Sequence, residues 1–300
     1  MQKISVLFIL SCTLLFFGGC KKEKTPKLIF KFKFDPTLQR LNNFGQPAAM
    51  PAGHAGQNPS FNHMSAHYVE LATGPLTPLG AGTVLYHAAE TNAGGATAID
   101  FSKAVLAGNN EKFFEVPLSE VTPGDYEYLR VSLAYQNFDV QLFIDTTVGG
   151  FTIQQEYPGT VASFVGYNTY INNFTIKNKS FTVNDDKLQG FWGYEMSANF
   201  FGFPYEFSAT GQAPPGATTV PNPIAATSPI PAGSCVVTGP FGGSKLKITG
   251  NETEDIVVVV ALSTNKSFEW VEVVNDGKWE PTKGETIVDM GLRGLWPYVE

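Results

Sequence analysis

Residues 126–144 read YEYLRVSLAYQNFDVQLFI, and this stretch indicates the fold. Apolar side chains alternate with other residues through two series, Leu129, Val131 and Leu133, then Phe138, Val140, Leu142 and Ile144. A period of two places apolar side chains on one face of a β-strand. The residues Pro123-Gly124-Asp125 supply a turn before the first series. We therefore predict two consecutive strands, each with one buried face.

Similar strand patterns return along the chain, separated by loops that are rich in Gly and Pro. Further predicted strands cover residues 27–34, 64–71, 83–88, 113–118, 151–155, 160–167, 256–262, 268–274 and 286–290. No segment keeps a helical period of 3.6 residues. The sequence predicts an all-β protein, an antiparallel β-sandwich with long Gly/Pro-rich loops. It is built either as one unit or as two packed β subdomains that meet near residues 186–245.

Residues 1–24 read MQKISVLFILSCTLLFFGGCKKEK and have the pattern of an export signal. Lys3 precedes an apolar stretch that is too short to span a membrane and is soon followed by charge. The ending Phe17-Gly18-Gly19-Cys20 resembles the lipobox of bacterial lipoproteins, which implies cleavage before Cys20 and acylation of that cysteine. The alternative is an ordinary signal peptide with an incidental cysteine.

The lipobox resemblance predicts the domain order and the location. We expect a signal peptide at 1–19, a lipidated Cys20 with a polar tether over 20–27, and a β-sandwich domain over 28–300. The lipid bilayer is then a partner of the chain through Cys20. The expected location is the bacterial cell envelope, with the anchor in the outer membrane.

The composition bears on partners and on redox chemistry. The chain has 27 acidic and 20 basic residues, a formal charge of −7, and no DNA- or RNA-binding motif, so nucleic acid is not an expected partner. If Cys12 leaves with the signal and Cys20 is acylated, Cys235 is the remaining thiol and no internal disulfide forms. Cys235 is expected to be a small buried residue, with a soft copper ligand as the alternative.

All four histidines lie within residues 51–87, at His54, His63, His67 and His87. Neutral imidazole is the commonest metal ligand in proteins, so we take these four as candidate ligands for copper or zinc. His63 and His67 are about 13 Å apart in an extended strand, too far to share one ion. His67 and His87 meet if their two strands pair, and Glu70 or Glu90 then completes the site. The alternative is four unrelated histidines.

Three segments together resemble a known family. These are SAHYVEL at 65–71, TVLYH at 83–87 and the VTPGDY turn at 121–126, which leads into a long strand. Their rhythm of strands and turns is similar to that of the methanobactin-associated, copper-binding (MbnP-like) β-sandwich lipoproteins. The resemblance covers about a third of the chain. It implies an envelope β-sandwich that binds copper, but no ligand set of that family maps onto these residues.

The remaining features concern partners and catalysis. Residues 189–207, QGFWGYEMSANFFGFPYEF, predict a hairpin in which Trp192, Tyr194 and Phe201 either form an exposed platform for a glycan or envelope protein or fill a core. A Pro-rich arm follows at about 210–235. No G-x-S-x-G, H-E-x-x-H or P-loop motif is present, so an enzyme is not expected. The first function considered is a metal-binding envelope lipoprotein and the second is a scaffold or binding lipoprotein, with an enzyme as the third.

Overall fold

The computed structural model describes residues 25–42, 46–213 and 235–300. Strands make up 59% of the structure, and the described residues contain no α-helix. Their only helical elements are three short 3-10 turns, at Phe101–Lys103, Leu118–Glu120 and Pro281–Lys283. The prediction of an all-β, sandwich-like protein is therefore confirmed.

The described residues form twenty strands. In chain order they are β1 (Lys27–Asp35), β2 (His54–Gln57), β3 (Ser60–Ala72), β4 (Thr83–His87), β5 (Glu90–Thr91), β6 (Ala98–Asp100), β7 (Lys112–Pro117), β8 (Gly124–Tyr126), β9 (Tyr128–Val148), β10 (Phe151–Phe164), β11 (Asn168–Thr175), β12 (Ser180–Leu188), β13 (Phe191–Phe200), β14 (Phe203–Gln212), β15 (Cys235–Pro240), β16 (Leu246–Ile248), β17 (Ile256–Ser263), β18 (Phe268–Val271), β19 (Ile287–Asp289) and β20 (Leu295–Val299).

A seven-stranded sheet organises the molecule, with the strand order β14-β13-β10-β9-β3-β4 and with β15 also paired to β9. Strand β9 is one strand of 21 residues where the sequence predicted two. The register with β3 passes from Tyr135 directly to Leu133, so Ala134 is an extra residue on β9. A bulge of this kind shifts the alternation by one residue without ending the strand. It explains why the two apolar series are out of phase.

Strand β10 differs from its prediction in a similar way. It runs through Pro158 and Gly159, which were expected to separate two strands. Pro158 is tolerated because the pairing of β10 with β13 covers only the residues from Gly159 to Phe164. Proline has no N–H to donate, so it fits at the place where this ladder ends.

The seven-stranded sheet is covered on both faces. Its inner face packs first against the sheet β20-β17-β1-β7, where the apolar strand β17 lies between β1 and β20, and then against the smaller sheet β19-β18-β2. Phe138 on β9 contacts Phe268 on β18, with ring centroids 6.2 Å apart. The outer face packs against β12-β11-β6-β5 through a third core that includes Phe164 and Ile171.

Several predicted segments lie outside the described residues. These include the signal peptide at 1–19, Cys20 and the tether as far as residue 24. Most of the Pro-rich arm predicted at about 210–235 also lies outside them, and the structure describes only its two ends. Residues 210–212 belong to β14, and Cys235 begins β15. Within the described ranges, no helix has the length and apolar character needed to cross a membrane.

Candidate metal site

His67 occupies a bulge in the seven-stranded sheet. The register between β3 and β9 passes from Ala66 opposite Leu133 to Tyr68 opposite Ser132, so His67 is an extra residue on β3. Bulges change the direction of a side chain and are frequent beside functional sites. The His67 side chain is only 1% exposed. It is therefore held firmly within the sheet.

His87 and Glu90 converge on His67 from the next strands. β4 pairs with β3 in antiparallel fashion, with Tyr68 opposite His87, and the rings of His67 and His87 lie 4.8 Å apart between centroids. Glu90 begins β5, three residues after His87. Its Oε1 atom lies 3.2 Å from His67 Nε2 and 3.8 Å from His87 Nε2. In the part of the chain that the structure describes, His67, His87 and Glu90 are the only group of three or more His, Cys, Asp or Glu residues that could hold a metal ion. Their ligand atoms all lie within 4.8 Å of one another.

The electrostatics keep His67 neutral. Burial and, to a smaller extent, the neighbouring His87 lower the pKa of His67 to about 4, although the hydrogen bond with Glu90 and its charge act in the opposite direction. A neutral imidazole is the form that binds metal ions. Its Nδ1 atom is buried and has no hydrogen-bond partner among the described residues. The site therefore contains a buried imidazole with one ring nitrogen that makes no hydrogen bond to the described residues.

Tyr167 is a fourth member of the cluster that the sequence analysis missed. Its hydroxyl donates a hydrogen bond of 2.8 Å to Glu90 Oε1, and its ring lies 5.5 Å from that of His67 between centroids. Tyr167 precedes β11, which belongs to the sheet covering the outer face. No local pattern links Tyr167 to residues 77 positions away, so only the packing of the two sheets identifies it.

The distances from Glu90 to the two imidazoles suit a small divalent ion, and a bound ion would draw the two imidazoles together within the 4.8 Å that the group spans. Bonds of about 2.0 Å in a tetrahedral site separate neighbouring ligand atoms by about 3.3 Å, close to the 3.2 and 3.8 Å observed here. Two imidazoles with one carboxylate suit zinc, copper and non-haem iron. The side chain of His87 is 46% exposed and that of Glu90 is 27% exposed. An ion therefore has access from solvent, and one side of the site is open.

His54 and His63 were candidate ligands as well, but neither of them belongs to this group. His54 Nδ1 lies 2.6 Å from Glu269 Oε1, in a separate cluster of charged residues. His63 stacks on Tyr135, with ring centroids 5.8 Å apart. Because His63 and His67 are four residues apart on one extended strand, they cannot bind the same ion.

Glu70 and Cys235 also lie outside the site. Glu70 is buried in an ion pair with Arg130 and accepts hydrogen bonds from the amides of Gly80 and Gly82. Its role is to hold the turn before β4 against the sheet. Burial raises the pKa of the Cys235 thiol to about 12, with a smaller contribution from Asp289. The protonated thiol is a poor metal ligand.

The predicted aromatic platform is only partly exposed. The hairpin forms as β13 and β14, with Phe201 and Gly202 at its tip. Phe201 is 64% exposed, but Tyr194 is buried and Trp192 is half-buried. Trp192 and Tyr194 instead line an apolar groove of about 500 Å³ beside Trp279. They therefore form part of the wall of a groove and not an exposed platform.

Comparisons of the chain with protein-family models, with curated proteins and with solved structures find no match. Its functional residues are therefore assigned by their geometry and chemistry alone.

Proposed function

We propose that this chain is a lipid-anchored protein of the bacterial cell envelope that binds a divalent transition metal, copper or zinc, at His67, His87 and Glu90. The observation that carries the proposal is the convergence of three ligand atoms within 4.8 Å, two of them on imidazoles. The resemblance to copper-binding β-sandwich lipoproteins favours copper. The general order of metal affinities favours copper too, because Cu²⁺ binds nitrogen ligands more tightly than Zn²⁺ does.

The local structure supports binding and exchange of an ion. His67 is fixed by its bulge and its burial, while His87 and Glu90 border solvent. Tyr167 orients the carboxylate of Glu90 by donating a hydrogen bond to it. Hydrogen bonds of this kind hold metal ligands in place and raise affinity. A bound ion would supply a Lewis-acid centre, or with copper a redox centre, at this surface.

Elemental analysis of the full chain tests the metal site. The protein is expressed without a histidine tag in a bacterium that has a periplasm and is then purified. Its copper and zinc contents are measured. We expect about one metal ion per chain. The His87→Ala variant should lose it, because His87 supplies one of the three ligands. His63→Ala is the matched control, since it removes a histidine of β3 outside the group, and it should retain the ion.

Two results would refute metal binding at this site. One is a wild-type chain that contains no metal and binds neither Cu²⁺ nor Zn²⁺ in a titration. The other is a His87→Ala variant that binds the ion as tightly as the wild type and His63→Ala do. Because His67 is buried, a His67→Ala variant is informative only if circular dichroism shows an intact β-fold.

The membrane anchor is tested separately by mass spectrometry of the mature N-terminus. We expect the mature chain to begin at Cys20, with a mass increment that corresponds to a diacylglyceryl group and an N-linked acyl chain. A Cys20→Ser variant should carry neither and should accumulate uncleaved. A mature chain that begins elsewhere, or an unmodified Cys20, contradicts the anchor and leaves the metal site unaffected.

A further inference from the structure

The exposed aromatic residues of the described chain are concentrated at one end of the molecule. Its exposed phenylalanines and its exposed tyrosine are Phe151, Phe201, Phe203, Tyr205 and Phe207, which we call the distal aromatic surface. They lie on two hairpins, β9–β10 and β13–β14, whose tips touch. The rings of Phe151 and Phe201 lie 5.2 Å apart between centroids. Single exposed apolar residues are ordinary, but a cluster of this kind marks an interaction site.

The distal aromatic surface continues the apolar inner face of the seven-stranded sheet. Tyr205 pairs with Ala198 and Phe207 pairs with Met196, so these side chains share the face on which Met196 joins the second core. That core is covered by β18 and by Trp279. Toward the tips, Phe203 is 76% exposed. The amphipathic sheet therefore extends beyond the residues that cover it.

The charge pattern at the tips permits contact with an identical surface. Residues 146–155 and 196–205 contain no charged side chain. On β14, Glu206 alternates with Tyr205 and Phe207 and so points to the opposite face. Two copies of the aromatic face can therefore meet without burying like charges. Most oligomers of soluble proteins are symmetric assemblies of identical chains.

The exposed area is close to what a stable dimer requires. At about 200 Å² for each aromatic side chain, the exposed fractions of the five rings amount to about 600 Å² per copy. A standard interface buries about 800 Å² per partner, and the polar rim supplies the remainder. Edge-to-edge pairing is disfavoured, because Pro204 and Glu206 on the edge strand β14 are residues that oppose strand addition.

With the lipid anchor at Cys20 that is proposed above, the position of this surface makes the anchoring bilayer a poor alternative partner. Strand β1 begins at Lys27, opposite Pro117, and Phe34 near its end contacts Phe61, which pairs with Phe138. From Phe138, β9 continues for ten residues, or about 33 Å, to its tip. The distal aromatic surface therefore lies about ten residues along β9 beyond Phe138, on hairpins that do not include β1.

We propose that the distal aromatic surface binds the same surface of a second copy of this chain, so that two copies pack face to face across a twofold axis. This dimer does not depend on the metal site. Each sheet extension then covers the apolar face that the other leaves open, as the two layers of a β-sandwich do.

Sedimentation velocity of the full chain, in a mild detergent of matched density, tests the dimer. Over about 1 to 100 µM protein, we expect the wild type to sediment as two copies. The double variant Phe201→Ser/Phe203→Ser should weaken association at least about tenfold, because central aromatic residues dominate interface energies. The matched control is Leu188→Ser, which removes an apolar residue that is 67% exposed but lies outside the surface. It should remain dimeric.

Phe151→Ser, on the other hairpin, provides a second variant and should also weaken the dimer. Circular dichroism of all variants should match that of the wild type, because the substituted side chains are exposed. A wild-type chain that sediments as one copy over the whole concentration range overturns the proposal. The exposed aromatic rings would then bind a different partner. Equal dimerisation of the wild type, both aromatic variants and the control overturns it as well.

Discussion

The rings of His67 and His87 lie 4.8 Å apart, although the residue opposite His87 in the register is Tyr68. The bulge on β3 accounts for this relationship. Because His67 is the extra residue between Ala66 and Tyr68, the usual alternation is interrupted at its position. The backbone carbonyl of His67 accepts a hydrogen bond of 2.7 Å from the Ala88 amide, which fixes the end of β4 beside it. The candidate metal site depends on this local irregularity.

Glu70 and Glu90, the two glutamates considered as metal ligands from sequence, should behave differently when substituted. Glu90→Gln removes a charged ligand, so metal affinity should fall about 100-fold or more with little loss of stability. Glu70→Gln leaves Arg130 buried without its partner and should lower the free energy of unfolding by about 3 kcal/mol. Metal titration and urea unfolding of both variants measure these effects. A Glu70→Gln variant that loses metal but not stability would reverse the assignment.

Tyr167 should influence metal affinity without being required for the fold. In Tyr167→Phe the ring remains, but Glu90 loses the hydrogen bond that orients it. Loss of such an orienting contact typically weakens metal binding about 10-fold to 100-fold. Competition with a chelator of known affinity measures the change. Thr147→Val is a control, because it removes an exposed hydroxyl far from the site; an equal effect in both variants would exclude a specific role for Tyr167.

Metal should stabilise the folded chain through mass action. At a free metal concentration of about 100 times Kd, binding adds about 2.7 kcal/mol to the free energy of unfolding. For a protein of this size the melting temperature should rise by roughly 5 °C. His87→Ala, whose substituted side chain is 46% exposed, should melt near the wild-type temperature without metal and should show no rise with it. A rise that persists in His87→Ala would place the ion elsewhere.

The Glu269 cluster should make stability depend on pH in the acid range. Burial alone would raise the pKa of Glu269, but hydrogen bonds from His54 and Arg40 and the charge of Arg293 outweigh it, so the pKa is lowered from 4.5. A carboxyl whose pKa is lower in the folded state contributes stability above the unfolded value of 4.5. That contribution is lost as the pH falls from 4.5 through the folded pKa.

Glu269→Gln tests this dependence. The variant should be less stable at pH 7 by about 3 kcal/mol, because Arg40 and Arg293 lose the carboxylate oxygen that both contact. It should also lose less stability than the wild type between pH 4.5 and pH 3. Urea unfolding at a series of pH values measures both quantities. Parallel pH profiles for the two proteins would show that Glu269 does not cause the acid dependence.

The strand positions followed from sequence where apolar side chains share one face of a strand. The alternation at Leu129, Val131 and Leu133 predicted a strand correctly, because these three side chains point into one core. The expectation of a single buried face was wrong, since Arg130 and Ser132 on the other face are buried as well. The joining of the two series into β9 was not predicted, since the bulge at Ala134 arises from pairing with β3. Pro158 misled the prediction for a related reason. A proline is accepted at this position of β10 because the hydrogen bonds to β13 begin only at Gly159. The pairing of the strands determines that boundary.

The amino-acid order was enough to predict the all-β class, most strand positions and the chemical groups available for a metal site. These properties depend on local periodicity and residue type, and both can be read directly from the sequence. Strand pairing and packing bring His67 together with His87 and Glu90, and they place His54 beside Glu269 and His63 beside Tyr135. The register between distant strands sets these contacts, and a single bulged residue changes which side chains converge.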